Sequence, residues 1–112
     1  MGNLSLGEFE EVVLLTVAVL HGDAYGISIK KDIETRLNRG VSVGAMRTAL
    51  KRLENKGFVK SEFGEATKVR GGKRKRYFMV TRTGKNALEQ VMESRKKLWE
   101  AIPSVAFDFK FS

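Results

Sequence analysis

The stretch that decides the fold lies between residues 42 and 57 and reads SVGAMRTALKRLENKG. Ser42 is a residue type that caps helix N-termini, because its hydroxyl accepts a hydrogen bond from the first turn, and Gly57 is typical of a position just past a helix. Met46 and Leu50 recur at helical spacing, and basic side chains occupy the other faces. We therefore expect a short, well-capped amphipathic helix with a cationic outer surface.

Two more helices are predicted before this one. The first covers residues 5–21, where apolar side chains follow helical spacing behind an acidic first turn. The β-branched residues of this segment would also suit a buried strand, but its length and acidic start favour a helix. Residues 22–26 form a turn, and a second helix reaches to about Asn38, where Arg39-Gly40 ends it.

After the third helix, the spacing of apolar residues changes from helical to alternating. Residues 58–63 and 73–81 are predicted strands, and the basic, glycine-containing connection between them indicates a hairpin. Thr81 or Thr83 then caps a fourth helix, which runs to about Ile102 because a proline follows.

This order of elements is typical of a winged helix-turn-helix with one helix added. We predict a mainly α chain with a small β-hairpin: a winged helix-turn-helix DNA-binding domain at residues 1–81, then a C-terminal dimerisation helix and aromatic tail at residues 82–112. In the tail, Phe107, Phe109 and Phe111 occupy alternate positions. That strand-like pattern predicts an extended, ordered tail with its rings buried on one face, and a frayed terminus is the alternative.

The net charge of +8 is concentrated in one segment. Residues 66–88 carry eight cationic side chains and no acidic one, so the remaining 13 Lys and Arg balance the 13 Asp and Glu of the chain. A concentrated cationic surface attracts polyanions, because each neutralised phosphate releases condensed counterions. Nucleic acid is therefore the partner that the charge distribution favours, with a solvated basic loop as the alternative.

The third helix and the hairpin, or wing, together suggest how DNA would be held. An α-helix fits the major groove, where its side chains reach base edges or phosphates, and a basic wing lies along the backbone or in a minor groove. The predicted DNA-binding residues are Ser42, Gly44, Ala45, Arg47, Thr48 and Lys51 of the third helix and Arg70, Lys73, Arg74, Lys75 and Arg76 of the wing.

The fourth helix carries an apolar seam. From Gly84 to Ile102 its members step alternately by four and three residues, which is the spacing of coiled-coil contacts, and Arg95 on the seam must reach solvent or an acidic partner. Because such a seam would face water in so small a chain, we expect it to join two copies. The predicted dimerisation residues are Leu88, Val91, Met92, Leu98, Trp99 and Ile102.

Over roughly residues 4–100, the chain resembles the short members of the PadR family of transcriptional regulators. The resemblance implies a homodimeric bacterial repressor that binds a palindromic operator in double-stranded DNA and is released by a small effector. It rests on the order and spacing of LGEFE (6–10), AYG (24–26), SVG (42–44), LKRLENKG (50–57), GGKRKRY (71–77) and VTRTG (80–84).

The third helix departs from the family pattern. After its Ser-x-Gly the family usually has Thr-Leu-Tyr-Pro, whereas this chain has Ala45-Met46-Arg47-Thr48. Arg47 thus replaces a tyrosine that commonly touches the DNA backbone in the family. A guanidinium hydrogen-bonds phosphate or guanine, so the binding chemistry survives the replacement.

The resemblance also makes Trp99 a candidate effector-binding residue. In short family members, a tryptophan on the last helix can line a dimer-interface cavity that stacks flat aromatic ligands. Simple packing between the two subunits is the alternative role for this ring.

Other classes of function find little support. Without cysteine the chain has no disulfide or thiolate, and His21, its single histidine, makes no metal site. No nucleophile–base pair or phosphate-binding loop is visible, so we expect neither an enzyme nor a cofactor. The longest apolar run, residues 12–20, is too short for a transmembrane helix, and no basic segment precedes it as in a signal peptide. We therefore expect a cytoplasmic location and no membrane partner.

Two rival functions stay open. An RNA-binding or ribosome-associated winged domain would use the same basic hairpin without needing two recognition helices at a fixed spacing. A protein-interaction module would bind an acidic partner through the wing and would show no salt-dependent binding to duplex DNA.

Overall fold

The computed structural model describes residues 6–64 and 74–110. Within them the chain is mainly α with one small β-hairpin, and the order of elements is that of a winged helix-turn-helix with an added helix, as predicted. The elements are α1 (Glu8–Val19), α2 (Gly26–Leu37), α3 (Val43–Asn55), β1 (Val59–Phe63), β2 (Arg76–Val80), α4 (Arg82–Ala101) and a 3-10 helix (Ser104–Phe107).

Side-chain caps set the starts of α3 and α4. Ser42 Oγ accepts a hydrogen bond from the Ala45 N–H at 3.0 Å, as the sequence predicts. Thr81 Oγ1 accepts one from the Gly84 N–H at 3.1 Å, so Thr81 rather than Thr83 caps α4. Each cap satisfies a donor that has no partner within its own helix.

α2 ends within one residue of the predicted position, but the residue that terminates it differs from the prediction. We expected Arg39-Gly40 to end this helix, but Asn38 already takes the left-handed conformation, with φ and ψ both at 50°. Asparagine tolerates that region better than most residues, because its short polar side chain hydrogen-bonds locally. The chain therefore leaves the helix before it reaches the glycine.

The hairpin is locked to the turn that precedes α2. Its strands pair antiparallel, with Val59 opposite Val80, and the second strand begins three residues later than the predicted range of 73–81. The Phe78 N–H of β2 donates to the Ala24 carbonyl at 2.8 Å. This bond fixes the start of α2 beside the wing.

The core lies where α1, α2, α3 and the base of the hairpin meet. Every one of these elements contributes side chains that are almost completely removed from solvent, so the winged domain closes around one apolar centre. The largest fully buried side chains are Val13, Leu14, Val17, Ile29, Ile33 and Leu53.

α4 joins this core through its first two turns and one ion pair. Leu88 is buried in the core, and a Cβ at Gly84 would collide with the carbonyl group of Phe58, so glycine is required for this close approach. Farther along, Arg95 Nη2 lies 2.9 Å from Glu11 Oε1 of α1. The seam arginine therefore pairs within its own chain.

The tail folds back on α4 and does not extend as a strand. Residues 104–107 form a 3-10 helix after Pro103, and the Phe107 ring lies 6.2 Å from the Trp99 ring and 6.2 Å from the Phe109 ring, centroid to centroid. The predicted strand is thus wrong. A lone strand leaves its backbone groups without a ladder, whereas a 3-10 turn makes its own hydrogen bond. Phe107 and Phe109 stay mostly exposed, and Phe111 lies outside the described residues.

Candidate nucleic-acid interface

α3 presents a cationic outer face. Met46 and Leu50 are buried beneath it, whereas Arg47, Thr48 and Lys51 are exposed. Arg47 and Lys51 lie four residues apart, so their charged groups project from the same side of the helix. The helix thus offers two adjacent cationic donors to an anionic surface.

The N-terminus of α3 is open to a ligand. Ser42, Gly44 and Ala45 are all exposed, and beyond the helix itself no heavy atom lies within 4 Å of the position that a Cβ of Gly44 would take. A helix N-terminus carries partial positive charge and backbone N–H donors, both of which suit a phosphate. The residues predicted at this end therefore lie beside the cationic face of α3.

Two wing cations contact their own hairpin and the turn before α2. Arg74 is exposed, and its Nε donates to the Gly64 carbonyl at 3.0 Å. Lys75 Nζ lies 4.2 Å from the centroid of the Tyr25 ring, which in turn meets the Tyr77 ring edge to face at 5.6 Å. These contacts hold the two cations where the paired strands end, and Lys75 also lines a groove beside α3.

Arg76 forms an ion pair with a carboxylate of α3. Its Nη2 lies 2.9 Å from Glu54 Oε1, and its Nε donates to Ser61 Oγ at 2.9 Å. The guanidinium therefore ties β2 to α3, although it remains about half exposed. Arg70 and Lys73, also predicted to bind DNA, lie outside the described residues.

A groove of about 720 Å³ separates α3 from the wing and from the start of α2. Met46, Leu50 and Phe78 form an apolar floor, and the exposed side chains of Ile27 and Val43 lie at its mouth. Sequence reasoning gave the last two no role. The sequence could have indicated them, because both are apolar residues that lie outside the core-facing side of their helices.

The walls of this groove are strongly cationic. Among the described residues the lining has one carboxylate, that of Glu54, and it is bound to Arg76. Lys30, which was not among the predicted residues, pairs with Glu34 at 2.9 Å. The described lining residues therefore carry a net positive charge. The cationic lining residues are Lys30, Arg47, Lys51, Lys75 and Arg76.

The acidic first turn of α1 is engaged in ion pairs. Glu8 accepts two hydrogen bonds from Arg39, which hold the pKa of its carboxyl below the usual range and raise the pKa of Arg39. Glu10 is buried and accepts a hydrogen bond from Lys56, and Glu11 pairs with α4. These carboxylates balance cations of three other segments.

The predicted dimerisation residues divide along α4. Leu88 packs in the core of its own chain and has little surface left for a partner. Val91 is half-buried, whereas Leu98 is 72% exposed and Trp99 is 68% exposed. Met92 is also exposed and Ile102 is partly so. The apolar surface without cover thus begins beyond the second turn of α4.

The sequence model of the PadR-like family of transcriptional regulators matches residues 14–90. The chain belongs to this family. The match runs from α1 through both strands of the wing into α4, so it includes the cationic face and the groove. PadR-like proteins are transcriptional regulators and not enzymes.

Solved structures of PadR-like proteins share this fold. A PadR-like transcription factor from Bacteroides fragilis is 27% identical with a TM-score of 0.69, and the alignment covers 82% of this chain and 84% of that one. A PadR family regulator from Clostridium difficile is 28% identical with a TM-score of 0.60, covering 80% and 91%. Bacillus subtilis PadR, solved in complex with operator DNA, is 17% identical with a TM-score of 0.63, covering 76% and 46%, which shows the fold alone. No curated protein matches the chain.

Residues 6–64 and 74–110 contain neither a membrane-spanning helix nor a cluster of metal ligands. None of the helices there combines the length and the apolar character needed to cross a bilayer. In the same residues no three His, Cys, Asp or Glu side chains are grouped so that they could hold a metal ion.

Proposed function

We propose that this PadR-like regulator binds duplex DNA as a homodimer and represses transcription from a palindromic operator in the cytoplasm. The observation that carries the proposal is one cationic surface built from two elements: the exposed Arg47 and Lys51 of α3 line the same groove as Lys75 of the wing. Such a surface attracts a polyanion and releases counterions when it binds one.

The shape of α3 suits the major groove. A helix with its side chains is about 10–12 Å across, and the major groove of B-DNA is about 12 Å wide. With α3 inserted, Arg47 reaches a guanine edge or a phosphate, and Thr48 reaches a base edge. Arg74 and Lys75 then follow the adjacent backbone, together with any further cations at the tip of the wing.

The distal part of α4 supplies the surface for a second copy. Val91, Met92, Leu98, Trp99 and Ile102 follow one another along the helix beyond the residues that dock on the winged domain. An apolar stripe of this length faces water in the single chain, and pairing two such stripes would remove both from solvent. A two-fold arrangement would also present two copies of α3 to the two halves of a palindrome.

We place the binding of a small aromatic effector at Trp99. Its indole ring is exposed and has the Phe107 ring beside it, so a flat ligand would find aromatic surface to stack on. A ligand bound between the two α4 helices would change their spacing and hence the fit of both recognition helices to DNA. Packing between the subunits without a ligand is the alternative role of Trp99.

Fluorescence anisotropy with labelled duplex DNA and structured RNA at equal salt tests the proposal. We expect duplex binding whose log affinity falls with log salt by about 0.9 for each phosphate contact. Replacing Lys73, Arg74 and Lys75 by Ala should weaken binding to every duplex and flatten that slope. Arg76 is left in place because it holds Glu54.

The rival functions predict other results in the same experiment. Tighter binding to RNA than to duplex would favour the RNA-binding winged domain. Salt-independent or absent binding to both nucleic acids would favour an acidic protein partner and would overturn the proposal.

A further inference from the structure

We propose that the groove between α3, the wing and the start of α2 binds a small amphipathic anion, an aromatic ring system that carries one carboxylate or sulfonate. We further propose that this ligand and DNA exclude each other. The second statement rests on the proposed function, whereas the first does not. The site lies on the winged domain and is separate from Trp99 at the far end of α4.

The size and floor of the groove suit an aromatic body. Its volume of about 720 Å³ falls within the range of about 300–1,000 Å³ that is usual for small-molecule sites. Met46, Leu50 and Phe78 line its floor, and Ile27 and Val43 extend the apolar surface to its mouth. Apolar side chains that stay exposed on a cationic face mark a site where an apolar ligand group can cover them.

The walls supply the anion-binding groups. Arg76 and Glu54 neutralise each other, and Lys30 is bound to Glu34, so Arg47 and Lys51 remain as excess positive charge. Lys75 adds to this charge, and the first residues of α2 also line the groove. A helix N-terminus favours negative charge, so its dipole acts in the same direction as the cations.

The combination favours an amphipathic ligand over a nucleic-acid backbone as the occupant of the floor. A phosphodiester chain is polar along its length and would leave the exposed side chains of Ile27 and Val43 without an apolar partner. An aromatic anion satisfies both parts at once, with its ring on the floor and its charged group on Arg47 and Lys51. Because the proposed DNA contact uses these same two cations, one ligand displaces the other.

Anilinonaphthalene sulfonate is a suitable probe, because it joins an aromatic body to one sulfonate and its fluorescence rises in apolar surroundings. It would be titrated into the full-length chain and into two variants of α2 at constant salt. Ile27→Glu places a carboxylate at the mouth of the groove. Leu37→Glu is the matched control, since Leu37 lies on the same helix outside the groove and is 50% exposed against 51% for Ile27.

We expect Ile27→Glu to weaken probe binding at least about tenfold through like-charge repulsion and Leu37→Glu to change it less than about twofold. Phenylnaphthylamine, which lacks the sulfonate, should bind more weakly than the probe. Probe affinity unchanged by Ile27→Glu, or equal affinity for the neutral analogue, overturns the site. Loss of probe binding in Trp99→Ala but not in Ile27→Glu also overturns it, because the probe would then lie at the dimer surface.

Displacement of the probe by duplex DNA tests the competition. We expect fluorescence to fall as duplex is added to the wild-type chain. Duplex that binds by anisotropy but leaves the probe in place overturns mutual exclusion. If the chain binds no duplex at all, the proposed function fails, and the titrations of the two α2 variants still decide whether the groove holds an anion.

Discussion

The winged domain and the distal part of α4 differ in where they keep their apolar side chains. In the winged domain Leu14, Ile29 and Leu53 are fully buried, and the outer face of α3 is cationic. On distal α4 the largest apolar side chains, Leu98 and Trp99, are exposed. The winged domain buries its own apolar core and presents a cationic surface, whereas distal α4 leaves its apolar surface exposed. Different forces should therefore drive the binding of their partners. Electrostatic attraction should dominate for the winged domain, and burial of apolar surface should dominate for distal α4.

One ion pair joins the two regions. The Glu11 carboxylate of α1 is 12% exposed and lies 2.9 Å from the Arg95 guanidinium of α4. The Arg95 side chain is 63% exposed, so water and salt screen the pair from that side. Since Arg95 sits on the α4 seam, the pair links the distal part of the helix to α1.

The largest predicted effect is at Leu98, on the exposed apolar face of distal α4. Leu98→Asp places a carboxylate on the apolar face of each subunit, and we expect the dimer to weaken at least about 100-fold, which is about 2.7 kcal/mol. Sedimentation equilibrium measures the change. Lys97→Asp, one residue away on another face of α4, should leave the dimer nearly intact. A wild-type chain that is monomeric at micromolar concentration would show that distal α4 has no such partner.

The charged region is tested at Arg47. Arg47→Ala should weaken duplex binding by about 1–3 kcal/mol with little change in melting temperature, because the side chain is exposed and faces away from the core. Arg52→Ala is the control, since Arg52 lies on the same helix and its guanidinium points toward Glu10. A melting temperature several degrees lower with normal DNA binding would give Arg47 a structural role instead.

The aromatic tail adds to the apolar surface at the end of α4. Deleting residues 104–112 removes the rings that lie beside Trp99. We expect the association constant of the dimer to fall about tenfold, which is about 1.4 kcal/mol. The effect is smaller than that of fully burying two aromatic rings, about 1.5–3 kcal/mol each, because these rings stay partly exposed. Analytical ultracentrifugation and thermal melting would follow the change. If both values stay at the wild-type level, the tail is not a structural element of this protein.

A smaller effect separates the wing cations from one another. Arg76→Gln breaks the bond to Glu54 and should lower the free energy of unfolding by about 0.5–1 kcal/mol, discounted for the partial exposure of both side chains. Its effect on the salt slope of DNA binding should be slight, whereas Lys75→Gln should change the slope more than the stability. Equal slopes for wild type and Lys75→Gln would remove Lys75 from the DNA contact.

The smallest predicted effect is a dependence of stability on acid pH. Hydrogen bonds from Lys30 and from the Val41 N–H lower the pKa of Glu34, and Arg39 lowers that of Glu8. A lowered folded-state pKa stabilises the fold above the unfolded value, and this contribution is lost as pH falls through the folded pKa. We expect the melting temperature to fall in that acidic range, and less steeply in Glu34→Gln than in the wild-type chain.

The sequence alone determined the features that depend on near neighbours. The helix caps at Ser42 and Thr81 each join residues three positions apart, and the change of apolar period after α3 marks the hairpin. Apolar spacing also separated the core-facing sides of the helices from the charged ones. These signals are local, because the dihedral angles and hydrogen bonds that produce them involve only a few successive residues. The residue that terminates α2 was mispredicted, because both Asn38 and Gly40 could take the left-handed conformation at a helix end.

Tertiary structure decided which charges meet and which surfaces face one another. The Arg95–Glu11 pair joins residues 84 positions apart and the Arg76–Glu54 pair joins residues 22 apart, and no sequence pattern selects such partners from the many charges available. The groove likewise exists because α2, α3 and β2 converge, and the tail turns back because Trp99 provides a surface for Phe107. Long-range contacts of this kind depend on how the closed core orients its elements, and that orientation is a property of the packed chain as a whole.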